Sequence, residues 1–309
     1  MNFIQRLIGK QALPEFLKEM VERKLGKKIV SFELVSPGPE LISYLLLTNE
    51  DCVDFHAWVN KARWETERAV LDLCRRQKIP VPKILLEGKN EINDQVYQFL
   101  IEGIKGEPLN SQRIHLFDYN RVLDQVAKVL LKLHTIGLEG FGPLEPSLRG
   151  RRGSWSAFLA QDLAVQLEIL HKEKIFKGSV IKTMSEIFNC ASAKVIPVLL
   201  HGQLSTAVIY VDRNLNVCCL SNFTQALSGD PNYEMAGFLI YEGFDRTKRL
   251  MRAYQSFGGL TAWDSPEFLR LCLRRVISLL FWKVKTKQSE TTGPLKQTAL
   301  EIIHRYQAS

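Results

Sequence analysis

Leu199-Leu200-His201-Gly202-Gln203-Leu204-Ser205-Thr206-Ala207-Val208-Ile209-Tyr210-Val211-Asp212 is the stretch that decides how this chain folds and limits what it can do. Apolar residues enter at Leu199 and Leu200 and return at Val208 to Val211, with a short polar loop between, the outline of strand, loop and strand. No carboxylate lies between Leu199 and Val211. Gln203 carries an amide that takes up no proton at physiological pH, and Val208 offers a cation no ligand atom. Further on, a strand-like run through Cys218 and Cys219 leads into Ser221-Asn222-Phe223-Thr224-Gln225-Ala226. Gly229-Asp230-Pro231-Asn232-Tyr233-Glu234-Met235-Ala236 follows, where Asp230 before Pro231 has the form of a helix N-cap with proline at the first helical position. Asp212, at the end of its strand, reads as a turn residue.

These stretches resemble the aminoglycoside phosphotransferase and choline kinase family. Its loop reads His-Gly-Asp-Leu, four variable residues ending in Asn, then Ile-Leu. Its later segment reads Ile-Asp-Phe-Glu-x-Ala, followed by Gly-Asp-Pro-x-x-Asp-Leu-Ala. The resemblance places Gln203 at the family's catalytic Asp, Val208 at a metal-binding Asn and Asn222 at the Asp that holds magnesium. It covers residues 29–305 and implies an α+β, two-lobed protein-kinase-like fold. The N-lobe is expected over residues 1–103, with an N-terminal helix, a five-stranded antiparallel sheet and one main helix. The larger helical lobe is expected over 104–309, with the degenerate hairpin at 199–226.

Working back toward the N-terminus, an amphipathic pattern over 13–25 ends at Gly26, and two strand-like runs, 29–35 and 42–48, flank Ser36-Pro37-Gly38-Pro39-Glu40. The family carries a glycine loop over the nucleotide phosphates there. Gly38 stands alone between two prolines, which have no N–H to offer a phosphate. A third run, 52–59, falls where the family holds a phosphate-binding lysine; it contains none, so His56 is the basic candidate and Lys61 falls at the next turn. Glu67 matches the helix residue that pairs with that lysine, and with the lysine gone it reads first as a surface ion pair with an arginine. Ile79-Pro80-Val81-Pro82 introduces a fourth strand, and 97–101 is a fifth. Glu102, Gly103 and Ile104 match the hinge, whose main chain would face an adenine. Beyond it come helical patterns over 118–134, 159–170 and 180–190, then mostly helix from Glu234 onward, broken at Thr291-Thr292-Gly293-Pro294. His134 reads as a packing residue.

The chain has 309 residues, 46% hydrophobic and 24% charged, the composition of an ordinary globular protein. No apolar run approaches the roughly 18 residues of a membrane span, and the first residues lack a signal-peptide core, so a cytoplasmic location is expected. The cysteines are scattered and read as reduced; Cys218 and Cys219 alternate across a strand and do not share a metal. Lys and Arg number 41 against 33 Asp and Glu, a net charge of +8. The basic clusters read first as solvated surface, with an anionic small molecule or an anionic surface as the alternative partner, and the field repels polycationic aminoglycosides, making them poor substrates. Nucleic acid is a weaker candidate, because no aromatic platform alternates with the basic clusters.

Phosphoryl transfer rests on positioning and charge neutralisation. Losing the base costs about 10²- to 10⁴-fold, and losing the metal adds several kcal/mol. The expected function is therefore that of a pseudokinase that binds a protein partner, a metabolite or a nucleotide. ATP is the nucleotide the resemblance implies, and the metal positions argue against Mg²⁺. The alternatives are an ATP-dependent small-molecule kinase with atypical residues and a basic surface that holds an anionic partner.

Overall fold

The computed structural model describes residues 15–37, 41–50, 52–89, 96–111, 114–189 and 194–309. Gly38 and the last residue of the 180–190 helical pattern lie outside the described residues. The first helix, α1 (Glu15–Leu25), is followed by β1 (Ile29–Pro37), β2 (Leu41–Thr48), β3 (Cys52–Trp58), α2 (Lys61–Arg76), β4 (Ile84–Lys89) and β5 (Tyr97–Glu102). The strands form one antiparallel sheet in the order β1-β2-β3-β5-β4. Alternation along β3 assigns its two faces. Val53, Phe55 and Ala57 are buried with Val21 of α1, while Cys52, Asp54 and His56 turn toward the other lobe. Trp58, Trp64 and Phe99 pack α2 onto the sheet, and the Asn60 side chain caps that helix by accepting from the Arg63 N–H at 3.3 Å.

The second lobe is mainly helical, as its sequence periodicity predicts. It contains α3 (Leu116–His134), α4 (Trp155–Ala160), α5 (Leu163–Lys172), α6 (Gly178–Phe188), α7 (Pro231–Ser256, kinked at Gly243, whose φ is 81°), α8 (Pro266–Lys285) and α9 (Gly293–Ala308). The pattern over 159–170 predicts one helix, but the chain forms two. They are separated at Gln161 and Asp162, where Asp162 takes a left-handed φ of 54°. Arg274 of α8 fixes that break, donating to the carbonyls of Leu159 and Gln161 and to the Gln166 side chain. His134 is buried, with Nδ1 2.9 Å from the Tyr254 hydroxyl, and burial lowers its pKa to about 3. It packs α3 against α7, as its position in the pattern predicts.

Short strands connect the lobes to the loop. Strand β6 (Glu107–Pro108) pairs with β10 (Ile209–Val211), which pairs with β11 (Val217–Leu220). The segment after β5 is thereby joined directly to the hairpin. A second small sheet, β8-β7-β12-β9, consists of Gly150–Arg152, Phe141–Leu144, Leu227–Gly229 and Val198–Leu200 and supports the loop from the other side. No helix among the described residues is long and apolar enough to cross a membrane.

Candidate functional site

A cleft of about 1440 Å³ lies between the lobes, and the degenerate hairpin forms part of its floor. The loop after β9 is held from below. Glu234, in the first turn of α7, is buried and accepts from the N–H groups of His201 and Gly202, at 3.1 Å from Gly202 to the nearer oxygen. Burial pushes its carboxyl up to about 7, against the pull of Arg275 and those N–H groups. Arg275 of α8 donates to the Gly202 carbonyl at 2.8 Å and lies over the Tyr233 ring. Gly202 has a φ of +84°, and a β-carbon there would stand 1.9 Å from the Gln225 carbonyl oxygen, so only glycine fits.

His201 is buried, and burial lowers its pKa to about 4, so it is neutral near pH 7. Its Nδ1 accepts from the Gln203 N–H at 3.3 Å; this leaves Nε2 as the donor to the Ser221 carbonyl at 2.7 Å. The ring also packs on Phe223 at a centroid separation of 4.5 Å. The loop is thus held by side chains from α7 and the hairpin, and its tip carries Gln203.

Gln203, Val208 and Asn222 all line the cleft, so the fold brings these sequence-predicted positions together. Val208 is only 7% exposed and apolar. Asn222 adopts a left-handed conformation with φ 62°, and its Oδ1 already accepts from the Thr224 hydroxyl at 2.7 Å. Among the described lining residues the carboxylates are Asp54, Glu67 and Glu107, which belong to β3, α2 and β6 rather than to the hairpin. A hard divalent cation needs several oxygen ligands, preferably charged. The donors at the hairpin do not fit one. The other acids considered in the sequence are engaged elsewhere. Asp230 caps α7, accepting from the Asn232 N–H at 2.8 Å, and Asp212 closes a turn onto the N–H groups of Asn214 and Asn216.

On the N-lobe side the sequence expectation for Glu67 needs correcting. Glu67 is 3% exposed, not a surface ion pair with an arginine. Its carboxylate accepts from the Trp58 indole N–H at 2.8 Å and lies 3.4 Å from His56 Nδ1. His56 therefore holds the Glu67 partnership that the missing lysine would have had. The strand's period of two brings this about, since Asp54, His56 and Trp58 share one face of β3 and α2 packs on it. For His56, burial favours the neutral ring, but Glu67 and Asp54 outweigh it and raise the pKa above its usual value. Lys61, in contrast, is exposed at the start of α2 and pairs with Glu65 at 3.3 Å.

At the hinge, the Glu102 N–H donates to the Lys83 carbonyl at 2.8 Å, and Ile104 lines the cleft. Gly103 passes so close to β3 that a β-carbon would lie 1.8 Å from the Cys52 carbonyl oxygen. Two cleft residues escaped the sequence reading. Asp54 has its carboxyl raised by burial, with His56 opposing. Tyr210 faces the cleft from β10, and burial with the nearby Asp54 charge pushes its phenol up to about 12. Their signal was present in strand alternation, because Asp54 is two residues from His56 and Tyr210 is two from Val208. The Ile104 carbonyl also accepts from the Gly106 N–H at 3.0 Å, so these hinge main-chain groups are engaged within the protein, and what lines the cleft here is Ile104 and His56.

Residues 54–269 match the family described as "Phosphotransferase enzyme family". No curated protein matches. Among solved structures, the chain is similar to a thermostable variant of aminoglycoside phosphotransferase APH(4)-Ia in ternary complex with AMP-PNP and hygromycin B. The TM-score is 0.73 at 15% identity, covering 96% of this chain and 100% of that one. It is also similar to the GDP complex of aminoglycoside 2'-phosphotransferase-IIIa, with a TM-score of 0.64 at 16% identity, covering 94% and 97%. Those likenesses carry the two-lobed kinase-like fold, and with the matched residues spanning most of the sequence the chain belongs to the phosphotransferase enzyme family.

Proposed function

We propose that this protein acts as a pseudokinase, binding a nucleotide, metabolite or protein partner in or at its interlobe cleft without efficient phosphoryl transfer. The supporting observation is the loop tip: Gln203 for a proton acceptor, an apolar Val208, and an Asn222 carbonyl already bonded to Thr224. Around that tip the scaffold is kept in full, with Glu234, His201 and Arg275 holding the loop. A chain that retains the support and lacks the reacting groups is suited to recognition. The free thiols of Cys52, Cys74, Cys218, Cys219 and Cys272 support a reducing, cytoplasmic setting for it.

The test is ATP turnover at saturating magnesium with the full chain. The expected outcome is phosphate release at the uncatalysed rate; repeated turnover at any rate above a mock-purified control overturns the proposal. One observation favours a second reading, a kinase with atypical residues: the buried His56–Glu67 pair keeps a titratable cation in the cleft. Under that reading turnover would be found and would be lost in His56→Ala.

A further inference from the structure

The end of the cleft built by α7 and α8 has its own chemistry. On α8 the residues at i, i+3, i+4, i+7 and i+8, Arg275, Ser278, Leu279, Trp282 and Lys283, form one stripe that lines the cleft. On α7, Ile240 and Tyr241 face the same space one helix away. Trp282 is 51% exposed and Tyr241 is 44% exposed, a large amphipathic aromatic area left open within a concave site. The charge at this end is positive. Arg275 is already engaged beneath the loop, donating to the Gly202 carbonyl at 2.8 Å and lying over the Tyr233 ring. Lys283 has no carboxylate partner among the described residues; its Nζ donates to the Thr291 hydroxyl at 2.7 Å. Lys285 and Lys287 follow on exposed surface. Glu242 of α7 is engaged elsewhere, accepting from Thr206 and pairing with Arg246 at 3.0 Å.

We infer that this end of the cleft is a subsite for a small anionic ligand with an apolar ring or chain, its apolar part laid on Trp282 and Leu279 and its anionic head at Lys283. The inference rests on the binding role proposed above for the same cleft and names the class of molecule bound there. A cationic ligand finds no carboxylate among the described lining residues of α7 and α8. A neutral one leaves the Lys283 ammonium without the charge-assisted bond that gives such contacts their strength.

The experiment titrates the full chain with 1-anilinonaphthalene-8-sulfonate, an aromatic anion, and with its uncharged counterpart N-phenyl-1-naphthylamine, followed by dye fluorescence. The sulfonate is expected to bind at least tenfold more tightly. Lys283→Gln should weaken the sulfonate about tenfold and leave the neutral dye unchanged, whereas Trp282→Ala should weaken both. Phe117→Ser, at an exposed apolar site outside the cleft, should change neither. Thermal melts verify folding, and Tyr241→Ala replaces Trp282→Ala if that variant does not fold. Equal affinity for the two dyes overturns the inference, as does indifference of both to Lys283→Gln and Trp282→Ala. ATP turnover is measured on the same preparations. Turnover with the dye pattern intact removes the non-catalytic reading and leaves the subsite; absent turnover with the pattern missing does the reverse.

Discussion

Replacing Glu67 by Gln tests whether the cleft is organised around a buried ion pair. The glutamine keeps an oxygen that can accept from the Trp58 indole, so what it removes is the charge facing His56. At the observed 3.4 Å, and with an effective dielectric constant near 20, the gross attraction is about 5 kcal/mol. Desolvation of both groups offsets roughly half of that, leaving on the order of 2–3 kcal/mol when His56 is protonated. His56 has a pKa above its usual 6.5 in the folded protein, because Glu67 and Asp54 outweigh its burial. A group raised on folding contributes stability that is complete below the unfolded value and is lost as pH rises through the folded one. The loss on substitution is therefore about 2–3 kcal/mol near pH 5.5 and smaller near pH 8.5, because protonation of the ring falls off as pH rises through its raised folded value while the Trp58 bond remains at both. Urea denaturation of both proteins at the two pH values measures the difference. An equal loss at both would refute the ion pair and leave Glu67 as an acceptor for Trp58 alone.

Glu234→Gln should destabilise the chain by about 2 kcal/mol, because the new amide presents N–H groups to the N–H groups of His201 or Gly202. The carboxyl is raised on folding to about 7, so the wild type should lose stability as pH rises from about 4.5 through 7, and the variant should lose that slope in a pH series of melts. Restoring the family's residues with Gln203→Asp, Val208→Asn and Asn222→Asp should yield little transfer alone. Adding His56→Lys, which sets a permanent cation against Glu67, should raise ATP turnover at least tenfold over the triple variant. No gain would mean that the phosphate-side contacts, and not the pair on β3, limit the chemistry.

The hairpin was legible because its apolar frame, Leu199-Leu200 and Ile209 to Val211, is dictated by burial, and burial leaves a strong pattern in sequence. The Asp230 cap was legible for a local reason, since an Asp-Pro step writes its geometry into adjacent residues. Glu67 was misread because an exposed and a buried glutamate look alike on a helix; Trp58 and His56 become its partners only once α2 packs on β3. The break at Asp162 was hidden because its fixing contacts come from Arg274, more than a hundred residues away. The α8 stripe had the right spacing to be read, but nothing local says which face of a helix meets a cleft.

The central claim is that the cleft can bind without metal-assisted transfer, and calorimetric titration with ATP, in magnesium and again in excess chelator, tests it most directly. The account predicts one binding isotherm, the same in both conditions, with no nucleotide consumed. Binding that requires magnesium would contradict it, because the Gln203, Val208 and Asn222 positions would then have to hold a metal that their chemistry does not fit.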